Sequence, residues 1–78
     1  MNDLQAMRLI EIELEAARRK FPNWNDEDKL LGSAIICEES GEAIRAAIQH
    51  KCEDGEEAKI FREVIQTGAM CIRFLTGK

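Results

Sequence analysis

Residues 30–48 read LLGSAIICEESGEAIRAAI, an apolar run interrupted by Glu38-Glu39-Ser40-Gly41-Glu42. Leu30, Ala34, Cys37, Gly41, Ile44 and Ile48 recur in alternating four- and three-residue steps, the spacing of one helical face. The pattern predicts a helix over about 27–51 with that stripe as its core face. Gly41 stands on the stripe and costs about 1 kcal/mol of helix propensity against Ala. It either permits close approach of a neighbouring backbone or leaves room beside the carboxylates. Glu38 and Glu42 point the same way as Leu31 and Ile35, beside the apolar surface rather than opposite it. Glu39 lies further round but three residues from Glu42, so those two can converge.

Two further helices flank this one. Over 3–20, Met7, Ile10, Leu14, Ala17 and Phe21 form one stripe. Arg18-Arg19-Lys20 suit the negative end of that helix, and Pro22 stops it. Asn25 or Asp26 can cap the second helix. Cys52-Glu53-Asp54-Gly55 is the second connector, and Asp54 with Glu57 fits a capping-box-like start. The third helix is expected over about 56–75, with Phe61, Ile65, Gly68, Ile72 and Leu75 as its stripe. Thr76-Gly77-Lys78 suits a C-terminal cap. No strand pattern or internal repeat interrupts this reading. Residues 1–78 form one all-α domain of three helices, and the short connectors make successive helices antiparallel neighbours.

A chain of 78 residues has a thin core when folded alone. Yet 45% of it is apolar, which suggests burial against another copy. The net charge of −4 argues against nucleic-acid binding by phosphate neutralisation. Cys37, Cys52 and Cys71 show no CxxC spacing, and one histidine adds little, so a zinc site is not expected. Cys37 and Cys71 fall among apolar residues and read as small buried hydrophobes. With neither a signal peptide nor a run long enough to span a membrane, the expected location is cytoplasmic.

The third helix carries its own polar set. Glu63-Val64-Ile65-Gln66 places a carboxylate and an amide three residues apart, and Met70 and Arg73 continue that stripe. Facing the Glu38–Glu42 cluster across a bundle, these groups can hold a hard cation such as Mg²⁺, which prefers oxygen ligands and keeps several waters. Clustered carboxylates repel, so a cation, a basic group or plain solvent must compensate. Paired Glu on a helix is commonly a solvated face. Arg73 can neutralise a carboxylate or reach a phosphate. Trp24 can stack on a base or cover the end of the core. His50 suits a dipole or surface role.

Glu38-Glu39-Ser40-Gly41-Glu42, followed by Glu63-Val64-Ile65-Gln66, resembles the EExxE…ExxD pattern of the MazG-like all-α nucleoside triphosphate pyrophosphohydrolases. The similarity spans about Trp24 to Leu75 and includes Leu30-Leu31 and the ending Gly68-Ala69-Met70-Cys71-Ile72-Arg73-Phe74-Leu75. It implies a helical bundle completed by dimerisation, as a homodimer or homotetramer. It implies hydrolysis of (d)NTP to (d)NMP and pyrophosphate with Mg²⁺, or Mn²⁺. Carried over, Glu39, Glu42 and Glu63 match metal ligands, and Glu38 matches a leading Glu that binds metal or activates water. Glu38 and Glu39 are thus the candidate catalytic pair. Gln66 stands where the family has Asp; an amide oxygen coordinates Mg²⁺ but brings no charge, which weakens the site. Arg73, Lys59 and Trp24 are candidate substrate contacts, against their reading as ordinary surface or core groups. The alternative is a catalytically weak or inactive MazG-like module that oligomerises or senses nucleotides.

Overall fold

A computed structural model describes all 78 residues. It contains three helices and no strand: α1 (Asp3–Lys20), α2 (Lys29–Cys52) and α3 (Glu57–Thr76).

Local chemistry sets each boundary. Asn2 caps α1 in a reciprocal box with Gln5: its side chain accepts from the Gln5 N–H, and the Asn2 N–H donates to Gln5 Oε1, both at 2.9 Å. Phe21 closes the last turn by donating its N–H to Ala17 O at 2.8 Å, and Pro22 prevents continuation. Helix α2 begins later than its acidic run suggests. Asp28 is the N-cap and accepts from the Leu31 N–H at 2.9 Å, so Asn25 and Asp26 lie in the connector. The expected Asp54 cap is also absent. Asp54 adopts a left-handed φ of 58° and turns the connector. Glu56 becomes the N-cap of α3 without a side-chain hydrogen bond. His50 Nδ1 lies 2.8 Å from Gly55 O and braces this turn. At the far end Gly77, with φ 74°, closes α3 and donates its N–H to Arg73 O.

Helix α3 is the centre of the fold. It packs against both α1 and α2, whereas α1 and α2 do not approach one another. The expectation that all successive helices pack together therefore holds only for α2 and α3. Their contacts run from Gly32 beside Phe74, through Glu39 and Glu42 beside Glu63, to His50 beside Glu57. Helix α1 seats Leu14 and Ala17 in the interior. Its Ile10 lies against Gly68, where a Cβ would come within 2.9 Å of Ile10 Cδ1. Arg18 ties the tail down, donating to Lys78 O at 2.9 Å and Thr76 Oγ1 at 3.1 Å.

The core is small: seven residues are buried, four of them apolar. The expected core stripe of α2 is not among them. Leu30, Ala34, Cys37, Gly41, Ile44 and Ile48 all face outward, and a Cβ at Gly41 would meet nothing within 4 Å. The side of α2 that meets α3 carries Gly32, Glu39 and Ala46 instead. Cys37 is accordingly exposed rather than buried, while Cys71 is half-buried. No helix is long and apolar enough to cross a membrane.

Candidate metal centre

Glu39 and Glu42, one turn apart on α2, meet Glu63 of α3. One carboxylate oxygen from each lies within 4.8 Å of the others. Glu63 is 9% exposed, Glu39 is half-buried and Glu42 is open to solvent. Two oxygens, Glu39 Oε2 and Glu63 Oε2, are shut away from solvent without a hydrogen-bond partner. Such orphaned acceptors are costly in a folded chain.

The charges respond to this crowding. Burial pushes the Glu39 carboxyl above its ordinary value, and the charges of Glu42, Glu63, Glu38 and Glu13 push it further. Burial also raises Glu63, followed by the adjacent Glu42 carboxyl, which can share its proton and repels its charge; Lys59 and Arg62 pull the other way. Three oxygen ligands, two of them with orphaned atoms and without a basic partner, suit a hard divalent cation with waters in its remaining positions. Glu39, Glu42 and Glu63 are the residues that would hold it.

A cleft of about 670 Å³ extends from this cluster toward α1. Glu39 and Gln66 line its acidic end, with Glu13, Ile35, Trp24 and Arg73 among its other walls. Gln66 is half-buried on the same face of α3 as Glu63. Glu13 is an addition that sequence reading did not single out. Its signal was present: Glu13 stands three residues after Ile10 and four before Ala17, on the edge of a buried stripe. A carboxylate at such a position points along the core boundary.

The other expected site residues are distributed unevenly. Glu38 is exposed, and its charge acts on Glu39. Lys59 is exposed outside the cleft, with its charge acting on Glu63. Trp24 is half-buried, packs over Gly32 and faces the cleft. It covers the end of the bundle and borders the opening.

Arg73 occupies a different environment from the carboxylates. It is 2% exposed and spans to the end of α1, where Nη2 donates to Phe21 O at 2.5 Å and Nη1 lies 3.5 Å from Ala17 O. Its guanidinium stacks over the Trp24 ring at 5.1 Å. Burial, and then the nearby Arg18, hold its pKa below the usual arginine value. It thus ties α3 to the end of α1, chiefly through the Phe21 carbonyl. It borders the cleft, and its Nε has no partner.

No protein-family model, curated protein or solved structure matches this chain.

Proposed function

We propose that this chain is a MazG-like, Mg²⁺-dependent nucleoside triphosphate pyrophosphohydrolase acting as a homo-oligomer. The observation that carries the reading is the meeting of Glu39, Glu42 and Glu63 within 4.8 Å, with orphaned oxygens on two of them. That grouping supports the reading, because Glu42 and Glu63, 21 positions apart in sequence, come together where α2 packs on α3. A bound divalent cation supplies neutralisation of phosphate oxygens and a lowered pKa for its water. Glu39, Glu42 and Glu63 would hold that cation, and Gln66, which lines the cleft with Glu39, would add a neutral oxygen. Glu38, exposed beside Glu39, supplies the leading carboxylate of the pattern. The cleft wall of Ile35, Met70 and Trp24 excludes solvent from one side of a bound nucleoside.

The catalytically weak, nucleotide-sensing reading keeps one specific support. Gln66 removes a charge from the ligand set, and Arg73, the nearest buried cation, is engaged by α1 carbonyls. Both features lower the phosphate-handling capacity of the cleft.

The test is Mg²⁺-dependent pyrophosphate release from a panel of standard and modified NTPs and dNTPs. Glu42→Ala and Glu63→Ala should each abolish release. A folded, oligomeric protein that binds nucleotide but releases no pyrophosphate would establish the sensing module instead.

A further inference from the structure

Helix α2 is apolar on two opposite sides. At 3.6 residues per turn, Gly32, Glu39 and Ala46 align on the side that meets α3. Leu30, Ala34, Cys37, Gly41, Ile44 and Ile48 align on the other, all exposed, with Leu30 at 82% and Ile44 at 63%. Their 4-3-4-3-4 spacing is that of a coiled-coil seam, with Leu30, Cys37 and Ile44 at d positions and Ala34, Gly41 and Ile48 at a positions. A contiguous exposed apolar stripe of this kind marks an interaction surface. Within one chain α3 covers only the inner side, and α1 does not approach α2.

The edges of the seam identify what covers it. Glu38 and Arg45 each follow a d residue, so they lie on the same edge one heptad apart. The opposite edge carries Ser33, Ser40 and Ala47, without charge. In a parallel pair, one edge meets the other, and both charges go unmatched. In an antiparallel pair each edge meets itself. Glu38 then faces Arg45 of the partner subunit, and the two-fold axis makes the contact twice. The same register sets Gly41 opposite Ile44 of the partner subunit and Cys37 opposite Ile48 of the partner subunit.

We propose that the outer stripe of α2 pairs antiparallel with the same stripe of a second copy, with Glu38 opposite the partner's Arg45. The pairing deepens the homo-oligomer proposed above by naming its surface. It also completes the candidate site. Glu38 adjoins Glu39 of the carboxylate cluster, so the partner's Arg45 brings a further cation to the end of that edge where Glu38 stands. Arg73, by contrast, is held at the end of α1.

The experiment is sedimentation equilibrium of the full chain, with and without Mg²⁺. Wild type should sediment as a dimer or a multiple of dimers. Ile44→Glu with Ile48→Glu should give a helical monomer, since both side chains are exposed within one chain. Arg45→Glu should weaken association by about tenfold, because two attractive contacts become repulsive, and adding Glu38→Arg should restore it. Oxidation tests the direction: with Cys52→Ser and Cys71→Ala, introducing Ile48→Cys should give a covalent dimer through Cys37, whereas Cys37 alone should not cross-link. A wild type that stays monomeric at every concentration overturns both the oligomer and its surface. A dimer indifferent to Ile44→Glu with Ile48→Glu overturns the surface alone. Cross-linking of Cys37 without the new thiol, or a charge exchange that fails to restore association, overturns the antiparallel register.

Discussion

Arg73 of α3 reaches 52 residues back along the chain and donates from Nη2 to Phe21 O at 2.5 Å, closing the end of α1. The guanidinium fork brings a donor to the Phe21 carbonyl and a second, longer approach to Ala17 O, which already accepts from the Phe21 N–H. Truncating Arg73→Ala removes these charge-assisted bonds and the stack on Trp24, at a cost of about 3 kcal/mol. Arg73→Lys should recover only part, because an ammonium cannot span both carbonyls. Thermal unfolding followed by circular dichroism measures this, with a drop of more than about 10 °C expected for a domain of this size. An unchanged melting temperature together with weaker nucleotide binding would show that Arg73 serves the ligand instead.

Gly32 and Gly68 should respond differently to Ala. A Cβ at Gly32 would come within 2.8 Å of Phe74 Cδ2 and 3.2 Å of Trp24 Cζ2, two ring systems packed at the helix end. Overpacking of this kind costs about 1–3 kcal/mol. At Gly68 the obstacle is the tip of Ile10, which can rotate away. The gain in helix propensity, about 1 kcal/mol, should then leave Gly68→Ala nearly neutral. Equal losses from urea unfolding of both variants would contradict this assignment of stiff and yielding neighbours.

The raised carboxyls of Glu39 and Glu63 fix the sign of one pH effect. Both titrate above 4.5 in the folded chain, so the folded state retains protons that the unfolded state has lost. Their contribution to stability is complete below about pH 4.5 and declines as pH rises through the raised values. Metal-free Glu63→Gln should therefore melt above wild type at pH 7, with the advantage gone by pH 4. Mg²⁺ should raise the wild-type melting temperature at pH 7 and act less on the variant. A Glu63→Gln protein less stable than wild type at pH 7 without metal would mean that the carboxylate is satisfied in a way the geometry does not provide.

Gln66→Asp adds a charge at the acidic end of the cleft. It should tighten Mg²⁺ binding by about tenfold in calorimetric titration. It should also lower the metal-free melting temperature at pH 7, since the new carboxylate would line the same cleft as Glu39. Tighter binding without that loss would place position 66 away from the cluster.

The helices were legible because periodicity and end signals are local. All three lie within two residues of the bounds expected from sequence. The side that α2 turns inward was not legible. Its two opposite faces are both apolar, and periodicity alone cannot say which belongs to the chain's own core. Cys37 and Gly41 were placed inside by the same ambiguity. Glu39, Glu42 and Glu63 could be grouped because their spacing fits two helices joined by a short connector. Glu13 and the buried Arg73 could not, since their surroundings depend on where α1 crosses α3, a relationship between the two ends of the chain. Asp54 lost its capping role to a turn that places it at positive φ.

The isolation of α1 from α2 bears on how the molecule comes into being. Helices α2 and α3 are joined by four residues, 53–56, so their association closes a short loop. The anchors of α1 span 52 to 60 residues, from Phe21 and Ala17 to Arg73 and from Arg18 to the tail. The carboxylate cluster thus belongs to the part of the chain that assembles from near neighbours, and the cleft beside it belongs to the part that arrives last. Fraying of α1 would remove one wall of the cleft and leave Glu39, Glu42 and Glu63 together: a chain still largely helical, with its acidic cluster intact and the enclosure beside it gone.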